Sequence, residues 1–150
     1  MARLEYRLFD EERGFPLLYY YDFIDKDEVS LRFACDYFVK DRVVYEKTSC
    51  TIEPRAYVIY VKTAEDEQAF AGGSELPGYR DGIRIELREY KSDTSHYPVV
   101  HVFRFQDDDD ALLLLQSDYV QWNGVEWGKT SAEVDEDRKV YVYYAEPVGS

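Results

Sequence analysis

Residues 16–53 read PLLYYYDFIDKDEVSLRFACDYFVKDRVVYEKTSCTIE and align without a gap on residues 98–135, which read PVVHVFRFQDDDDALLLLQSDYVQWNGVEWGKTSAEVD. Identical residues occupy 11 of the 38 aligned positions, and they are Pro16/Pro98, Phe23/Phe105, Asp25/Asp107, Asp27/Asp109, Leu31/Leu113, Asp36/Asp118, Tyr37/Tyr119, Val43/Val125, Lys47/Lys129, Thr48/Thr130 and Ser49/Ser131. Chance similarity between two β-rich segments rarely places a Lys-Thr-Ser and an Asp-Tyr in one register. The sequence therefore predicts an internal tandem duplication, which has to be recognised before the fold is interpreted.

The match continues outward with a shift of one residue at the N-terminal end and of two residues at the C-terminal end. Residues 3–7 then align with 84–88, and residues 56–60 align with 140–144. We predict a single domain over residues 1–150, with repeat unit one at about 1–62 and repeat unit two at about 83–147. The intervening segment, about 63–82, contains glycine and proline clusters that are typical of a loop or linker.

Each unit begins with two segments that have the pattern of β-strands. Residues 3–9 alternate between charged and apolar side chains, as do residues 83–88, which is typical of a strand with one face in water. Residues 17–23 and 99–105 are mostly apolar or aromatic. We expect this second strand to be covered on both faces, or nearly so.

An acidic segment follows in each unit, at residues 25–28 and 107–110, and carboxylates favour the N-terminus of a helix. The next apolar side chains have helical spacing in the first unit, where they are Val29, Phe33, Ala34, Tyr37 and Phe38. Asn123-Gly124 is a common helix stop and predicts the end of the second helix.

A hairpin completes each unit, with strands at 43–52 and 56–62 in the first copy and at 125–134 and 140–145 in the second. The predicted unit is therefore ββαββ. Two such units can cover each other, whereas one alone would be marginal in size. The expected fold is α+β, a mainly antiparallel sheet of about eight strands with a pseudo-two-fold axis and two helices against one face.

The charge balance narrows the classes of partner. Lysine and arginine number 18 against 31 aspartates and glutamates, which gives a formal net charge of −13. A surface of this sign repels polyanions, so we expect no nucleic acid and no membrane as partner. The N-terminus lacks the apolar segment of a signal peptide, and we expect a cytoplasmic protein.

Catalytic and metal-binding signals are weak. Only His96 and His101 titrate near neutral pH without assistance, and an enzyme would have to use one of them, with Cys35 or Cys50 as a candidate nucleophile. The two cysteines are expected to be reduced and buried, since nothing nearby activates either thiol. The acidic run at 107–110 lacks the alternate spacing and central glycine of a calcium loop, so we predict no metal and no cofactor.

Two groups of residues are candidates for binding. The shared Lys-Thr-Ser could mark paired sites related by the pseudo-two-fold axis, formed by Lys47, Thr48, Ser49, Lys129, Thr130 and Ser131. The alternative is structural, because threonine suits strands and lysine protects a sheet edge. The chain also contains 15 tyrosines, and those that face away from the core could form an aromatic contact surface. The candidates in that group are Tyr20, Tyr60 and Tyr143.

These observations favour a non-catalytic interaction domain that binds another protein, in the manner of an inhibitor or an immunity factor. A basic protein fits an aromatic surface ringed with carboxylates. One alternative is a small-molecule binding domain whose pocket lies between the repeats and is lined by tyrosine and by Lys47 or Lys129. Another is an enzyme that uses His96 or His101. We expect a monomer or a weak homodimer, since the duplication already pairs two units.

Overall fold

The computed structural model describes residues 1–69, 82–94 and 96–149. Its strands are β1 (Ala2–Leu8), β2 (Leu17–Ile24), β3 (Tyr37–Lys40), β4 (Val43–Glu53), β5 (Ala56–Thr63), β6 (Ile83–Glu89), β7 (Val99–Phe105), β8 (Tyr119–Trp122), β9 (Val125–Asp135) and β10 (Val140–Pro147). The helices are α1 (Lys26–Phe33) and α2 (Asp108–Gln116), with a 3-10 turn at Glu11–Arg13. Neither α-helix of the described ranges is long and apolar enough to cross a membrane. The expected α+β class, rich in sheet, is confirmed.

All ten strands belong to one sheet, in the order β2-β1-β5-β4-β3-β9-β10-β6-β7, and β8 pairs with the remaining part of β9. The sheet is mixed, because β1–β5, β6–β10 and β3–β9 are parallel while the other described pairs are antiparallel. The strands of residues 1–63 pair among themselves, and so do those of residues 83–147. The β3–β9 pairing joins the two sets, from Tyr37 opposite Glu133 to Val39 opposite Asp135.

Both helices are shorter than predicted. A short strand, β3 or β8, occupies the C-terminal part of each predicted helix. Helix α1 ends at Phe33, and Tyr37 and Phe38 lie in β3 because Asp36 already bonds to strands on both sides. Its N–H donates to the oxygen of Ala132, and its oxygen accepts from the N–H of Lys47. Ten strands therefore replace the expected eight.

The Asn123-Gly124 pair forms a hairpin turn between β8 and β9 and does not end a helix. Both residues have positive φ, 55° and 79°, which is the geometry of the tight turn that Asn-Gly favours most strongly. The corresponding pair in the first half, Asp41 and Arg42, also has positive φ, 53° and 67°. The same turn type thus joins β3 to β4.

Strands β2 and β7 lie at the ends of the strand order, and β2 is open to solvent on one face, which corrects the expectation that it is covered on both faces. Leu17, Tyr20 and Phe23 of β2 are 46%, 55% and 81% exposed. A strand rich in aromatic residues can occupy an edge because one of its faces still packs on the core. Tyr19 and Tyr21 lie against that core while their neighbours face solvent.

The main core lies between the helices and one face of the sheet. It contains Leu31 of α1 and Leu115 of α2 together with Tyr143 of β10. Because side chains alternate along a strand, Val142 and Tyr144 point to the opposite face, where a smaller cluster is covered by aromatic side chains of the segment between β6 and β7. The middle of the sheet is therefore covered on both faces. The linker predicted at about 63–82 falls largely on residues 70–81, outside the described residues.

Candidate functional site

The two predicted lysines lie at equivalent positions and have equivalent partners. The Nζ of Lys47 donates to the backbone oxygen of Phe33 at 2.6 Å, and the Nζ of Lys129 donates to that of Leu115 at 2.8 Å. Each cation thus neutralises the negative C-terminal end of a helix and satisfies a free carbonyl. These contacts belong to the fold, and binding by the two lysines stays a prediction.

The hydroxyl residues of the two Lys-Thr-Ser segments have different surroundings. Thr48 and Ser49 are exposed, and the Thr48 hydroxyl donates to the backbone oxygen of Tyr60 at 3.2 Å. Thr130 and Ser131 instead line a cavity on the face of the sheet away from the helices. A cavity is thus present beside the second segment on this face, and binding by either segment stays a prediction.

The three candidate tyrosines do not share a surface. Tyr20 is 55% exposed and lies under the guanidinium of Arg3, 4.6 Å from its ring centre. Tyr60 is half-buried in a cluster of phenylalanines. Tyr143 is fully buried, and its hydroxyl donates to the backbone oxygen of Ser117 at 2.8 Å. Four other tyrosines converge on the cavity just mentioned.

We call this cavity the junction pocket, because both halves of the chain contribute to it. Its volume is about 230 Å³. The lining residues are Tyr37, Glu67, Tyr90, Tyr97, Thr130, Ser131, Glu133 and Tyr144. Tyr37 and Glu133 come together because they are opposite each other in the β3–β9 pairing. The same three-residue pairing that joins the halves therefore builds the floor of the pocket.

Glu133 is the buried acid of the junction pocket, with 5% of the residue exposed. Its Oε2 accepts from the hydroxyl of Tyr144 at 3.3 Å. Burial, together with the negative charge of Asp135, raises the pKa of Glu133 to about 8, although Tyr144 and Arg138 oppose the shift. Arg138 is itself held by Glu86 and Asp135, at 2.9 Å from each.

Aromatic rings form one wall of the junction pocket. Tyr90 and Tyr97 are stacked, with ring centres 5.4 Å apart and an interplanar angle of 19°. Tyr97 meets Tyr144 edge to face, also at 5.4 Å, with an angle of 77°. Burial raises the pKa of Tyr37 to about 12 and that of Tyr144 well above its ordinary value, so these phenols are neutral at physiological pH.

A second carboxylate, Glu67, completes the lining. Burial raises its pKa, and the charges of Asp66 and Glu46 add to the effect. Among the described residues that line the pocket, two are acidic and none is a lysine or an arginine. The acidic side chains of the pocket therefore have no lysine or arginine beside them among the described lining residues.

A larger cavity of about 430 Å³ also lies between the two halves, next to α1 and the turn after β9. Arg32, which is 6% exposed, crosses this region and pairs with Glu136 at 2.7 Å and with Glu28 at 3.1 Å. The guanidinium of Arg32 is therefore already paired within the fold. Neither Lys47 nor Lys129 lines this cavity or the junction pocket, whereas Lys129 lines a separate cavity within the second half, so the small-molecule alternative stays a prediction.

The catalytic candidates occupy structural positions. His101 stacks on Trp122 with ring centres 3.6 Å apart, and it meets the edge of Phe103. Cys35 is buried, its thiol donates to the oxygen of Leu31 at 3.4 Å, and burial raises its thiol pKa well above the ordinary range. Cys50 is only half-buried, and both thiols are free.

The acidic run at the start of α2 is a helix cap, since the Asp107 carboxylate accepts from the N–H of Asp109 at 3.0 Å. Across the described ranges, no three histidine, cysteine or acidic side chains are placed to hold a metal ion. The backbone N–H of His96 donates to the hydroxyl of Thr94 at 3.0 Å in the turn between β6 and β7.

Glu133 was missed from the sequence because Glu133 and Asp135 alternate with apolar residues in β9, a pattern typical of a strand face in water. Nothing in the local sequence indicates that Tyr90 and Tyr97 cover this face. The result is a buried carboxyl group in a cavity lined by tyrosines, an arrangement suited to holding a cation. No protein-family model matches the chain, and comparison with curated proteins and with solved structures gives no significant match.

Proposed function

We propose that this chain is a non-catalytic interaction protein that binds a basic partner protein, and that a cationic side chain of the partner enters the junction pocket. The observation that carries the proposal is Glu133, a carboxylate with 5% exposure in a lining that includes no described lysine or arginine. Ionising a buried acid is costly unless a positive charge compensates it. A cation from outside supplies that compensation at the moment of binding.

The overall charge supports the same partner class. The net charge of −13 attracts a basic surface over distances greater than the contact itself and accelerates association. The pocket then selects one cationic group from those on the partner surface. We propose that the protein acts in the cytoplasm as a monomer or weak homodimer, in the manner of an inhibitor or immunity factor.

A free small-molecule amine is the second candidate. The observation that favours it is the size of the junction pocket, about 230 Å³, which accommodates an alkyl amine without a protein attached. Its position between the halves agrees with the small-molecule hypothesis, although its lining uses Glu133 in place of the two lysines.

We further infer that the halves arose by tandem duplication. The order β2-β1-β5-β4-β3 has the same parallel and antiparallel pairings as β7-β6-β10-β9-β8. The bonds Lys47–Phe33 and Lys129–Leu115 occupy aligned positions. Strand β3 is antiparallel to β4 and parallel to β9, so the equivalent strands β4 and β9 run in opposite directions, as a two-fold axis through the sheet requires. In this interpretation, each repeat unit has three strands after its helix, where the sequence predicted two.

Immobilised protein tests the proposed function, with Glu133→Gln as the variant and the exposed Glu126→Gln on the same strand as the control. We expect wild type and the control to retain a basic protein in about 0.1 M salt and to release it in about 1 M salt. The reason is that the Debye length falls from about 10 Å to about 3 Å between these concentrations, so the attraction between charges is screened. The purified partner should bind Glu133→Gln about tenfold or more weakly, because a charge-assisted contact is lost. Equal binding to wild type and Glu133→Gln would refute the role of the pocket.

A further inference from the structure

The geometry of the junction pocket also indicates which kind of cation it accepts, an inference that rests on the proposed function. We propose that the pocket binds a primary ammonium group, such as a lysine side chain carries, in preference to a guanidinium or a quaternary ammonium, and that Glu133 releases one proton to solvent as the ammonium enters. The incoming group keeps its own three protons. The pocket therefore exchanges one positive charge, the proton, for another.

The hydrogen-bonding groups of the pocket favour an ammonium over a guanidinium. A guanidinium binds best to a carboxylate through two parallel bonds, one to each oxygen. The Tyr144 hydroxyl already donates to Oε2 of Glu133, at 3.3 Å, so a parallel pair of bonds would have to displace it or share that oxygen. An ammonium needs only single acceptors in different directions. Glu133, Thr130 and Ser131, whose side chains carry such acceptors, are among the lining residues.

The aromatic wall argues against a quaternary ammonium. Such a cation has no N–H to donate, and it is held by several ring faces that surround it. Tyr90 and Tyr97 are stacked on each other at 5.4 Å, so each ring has one face occupied by the other. Tyr144 meets Tyr97 edge to face. A quaternary ammonium would also leave the Glu133 carboxylate without a hydrogen-bond donor in place of the proton it gave up.

The proton exchange follows from the groups that face Glu133. Asp135 on the same strand and Glu67 after β5 oppose its ionisation, and Arg138 favours it. From β3 and β10, the pocket presents the neutral phenols of Tyr37 and Tyr144. Tyr90 and Tyr97 add aromatic surface from the segment between β6 and β7. Burial is the largest cause, and together with these charges it raises the pKa of Glu133 to about 8, so at pH 7 the empty pocket holds the neutral acid.

A bound ammonium reverses this balance, because an adjacent positive charge favours the carboxylate. If the acid ionises fully on binding, about 0.9 proton is released per ligand at pH 7. The affinity should then rise about tenfold from pH 6 to pH 7 and level off above about pH 8. An alkyl ammonium remains protonated throughout this range.

Three probes with the same alkyl chain separate the cations: n-butylammonium, n-butylguanidinium and n-butyltrimethylammonium chloride. Each is titrated into the full chain at pH 6, 7 and 8, with amide chemical shifts recorded by NMR. We expect n-butylammonium to bind most tightly and to show the tenfold dependence on pH. Glu133→Gln should bind it about tenfold or more weakly with no pH dependence, and Glu126→Gln should behave as wild type.

The outcomes distinguish this inference from the function on which it rests. Equal or tighter binding of the guanidinium or trimethyl probe overturns the inference, and so does a pH-independent affinity of n-butylammonium. If none of the probes binds while a basic protein is still retained by wild type, the ammonium assignment fails and the interaction function stands. Far-UV circular dichroism checks that Glu133→Gln is folded, and Ser131→Ala provides a second variant, expected to weaken n-butylammonium about fivefold.

Discussion

Replacing Glu133 by glutamine should stabilise the protein, and increasingly so as the pH rises. Glutamine has nearly the same shape, and its amide oxygen can still accept from the Tyr144 hydroxyl. It cannot ionise, however, so the unfolded chain is not stabilised by ionisation at this position as the pH rises. The variant therefore isolates the contribution of one proton to folding.

The magnitude follows from the raised pKa of Glu133, about 8 in the folded protein against 4.5 for the ordinary side chain. An acid with a raised pKa contributes stability that is complete below pH 4.5 and is lost as the pH rises through about 8. Linkage converts this shift into about 3.5 kcal/mol between pH 5 and pH 8. Wild type should lose that amount relative to Glu133→Gln over the same interval.

Urea denaturation at pH 5, 6, 7 and 8 measures the effect as a difference in the free energy of unfolding. Wild type and Glu133→Gln should be similar at pH 5 and should diverge steadily up to pH 8. Glu126→Gln, which removes an exposed acid from the same strand, should follow wild type at every pH. A constant difference between wild type and Glu133→Gln from pH 5 to pH 8 would show that Glu133 is already ionised in the folded state, and the account of the pocket would be wrong.

Three further changes test other parts of the structure. Lys129→Met keeps the aliphatic stem but leaves a helix carbonyl without its donor. Urea denaturation should show that the free energy of unfolding falls by about 1–2 kcal/mol, and the affinity for n-butylammonium should be unchanged. Arg32→Met should cost about 3–5 kcal/mol in the same assay, because it leaves Glu136 largely buried without its main partner; a loss below about 1 kcal/mol would contradict a structural role. In the native protein, a thiol reagent should modify half-buried Cys50 and leave Cys35 unmodified until urea unfolds the chain; rapid modification of both would refute the burial of Cys35.

The sequence was informative where a pattern depends on local geometry. The alternation in residues 3–9 and 83–88 predicted β1 and β6 because a strand places successive side chains on opposite faces. The helix starts were also predicted, since carboxylates at residues 25–28 and 107–110 favour the first turn of a helix. Lys47 and Lys129 were noticed as a shared pair, although their partners, two helix carbonyls, could be identified only in the structure.

The errors arise where contacts between distant residues override a local pattern. Tyr37 and Phe38 have helical spacing, yet the pairing with β9 holds them in a strand. An Asn-Gly pair is suited both to the end of a helix and to a hairpin turn. Asn123-Gly124 forms the turn because β8, which precedes it, pairs with β9. Glu133 has the sequence pattern of an exposed acid, and its burial depends on tyrosines more than 35 positions earlier in the chain.

The three-residue pairing between β3 and β9 has a consequence for the order of folding. It connects parts of the chain that are far apart in sequence, such as Asp36 and Ala132, which are 96 positions apart. Closing so long a loop lowers the conformational entropy of the chain before the contact contributes any stabilisation. We therefore expect the strands within each half to pair first and the seam between the halves to form last. Because Tyr37 and Glu133 meet only across that seam, the ability to bind a cation would appear in the final step of folding and would be the first property lost when the seam opens.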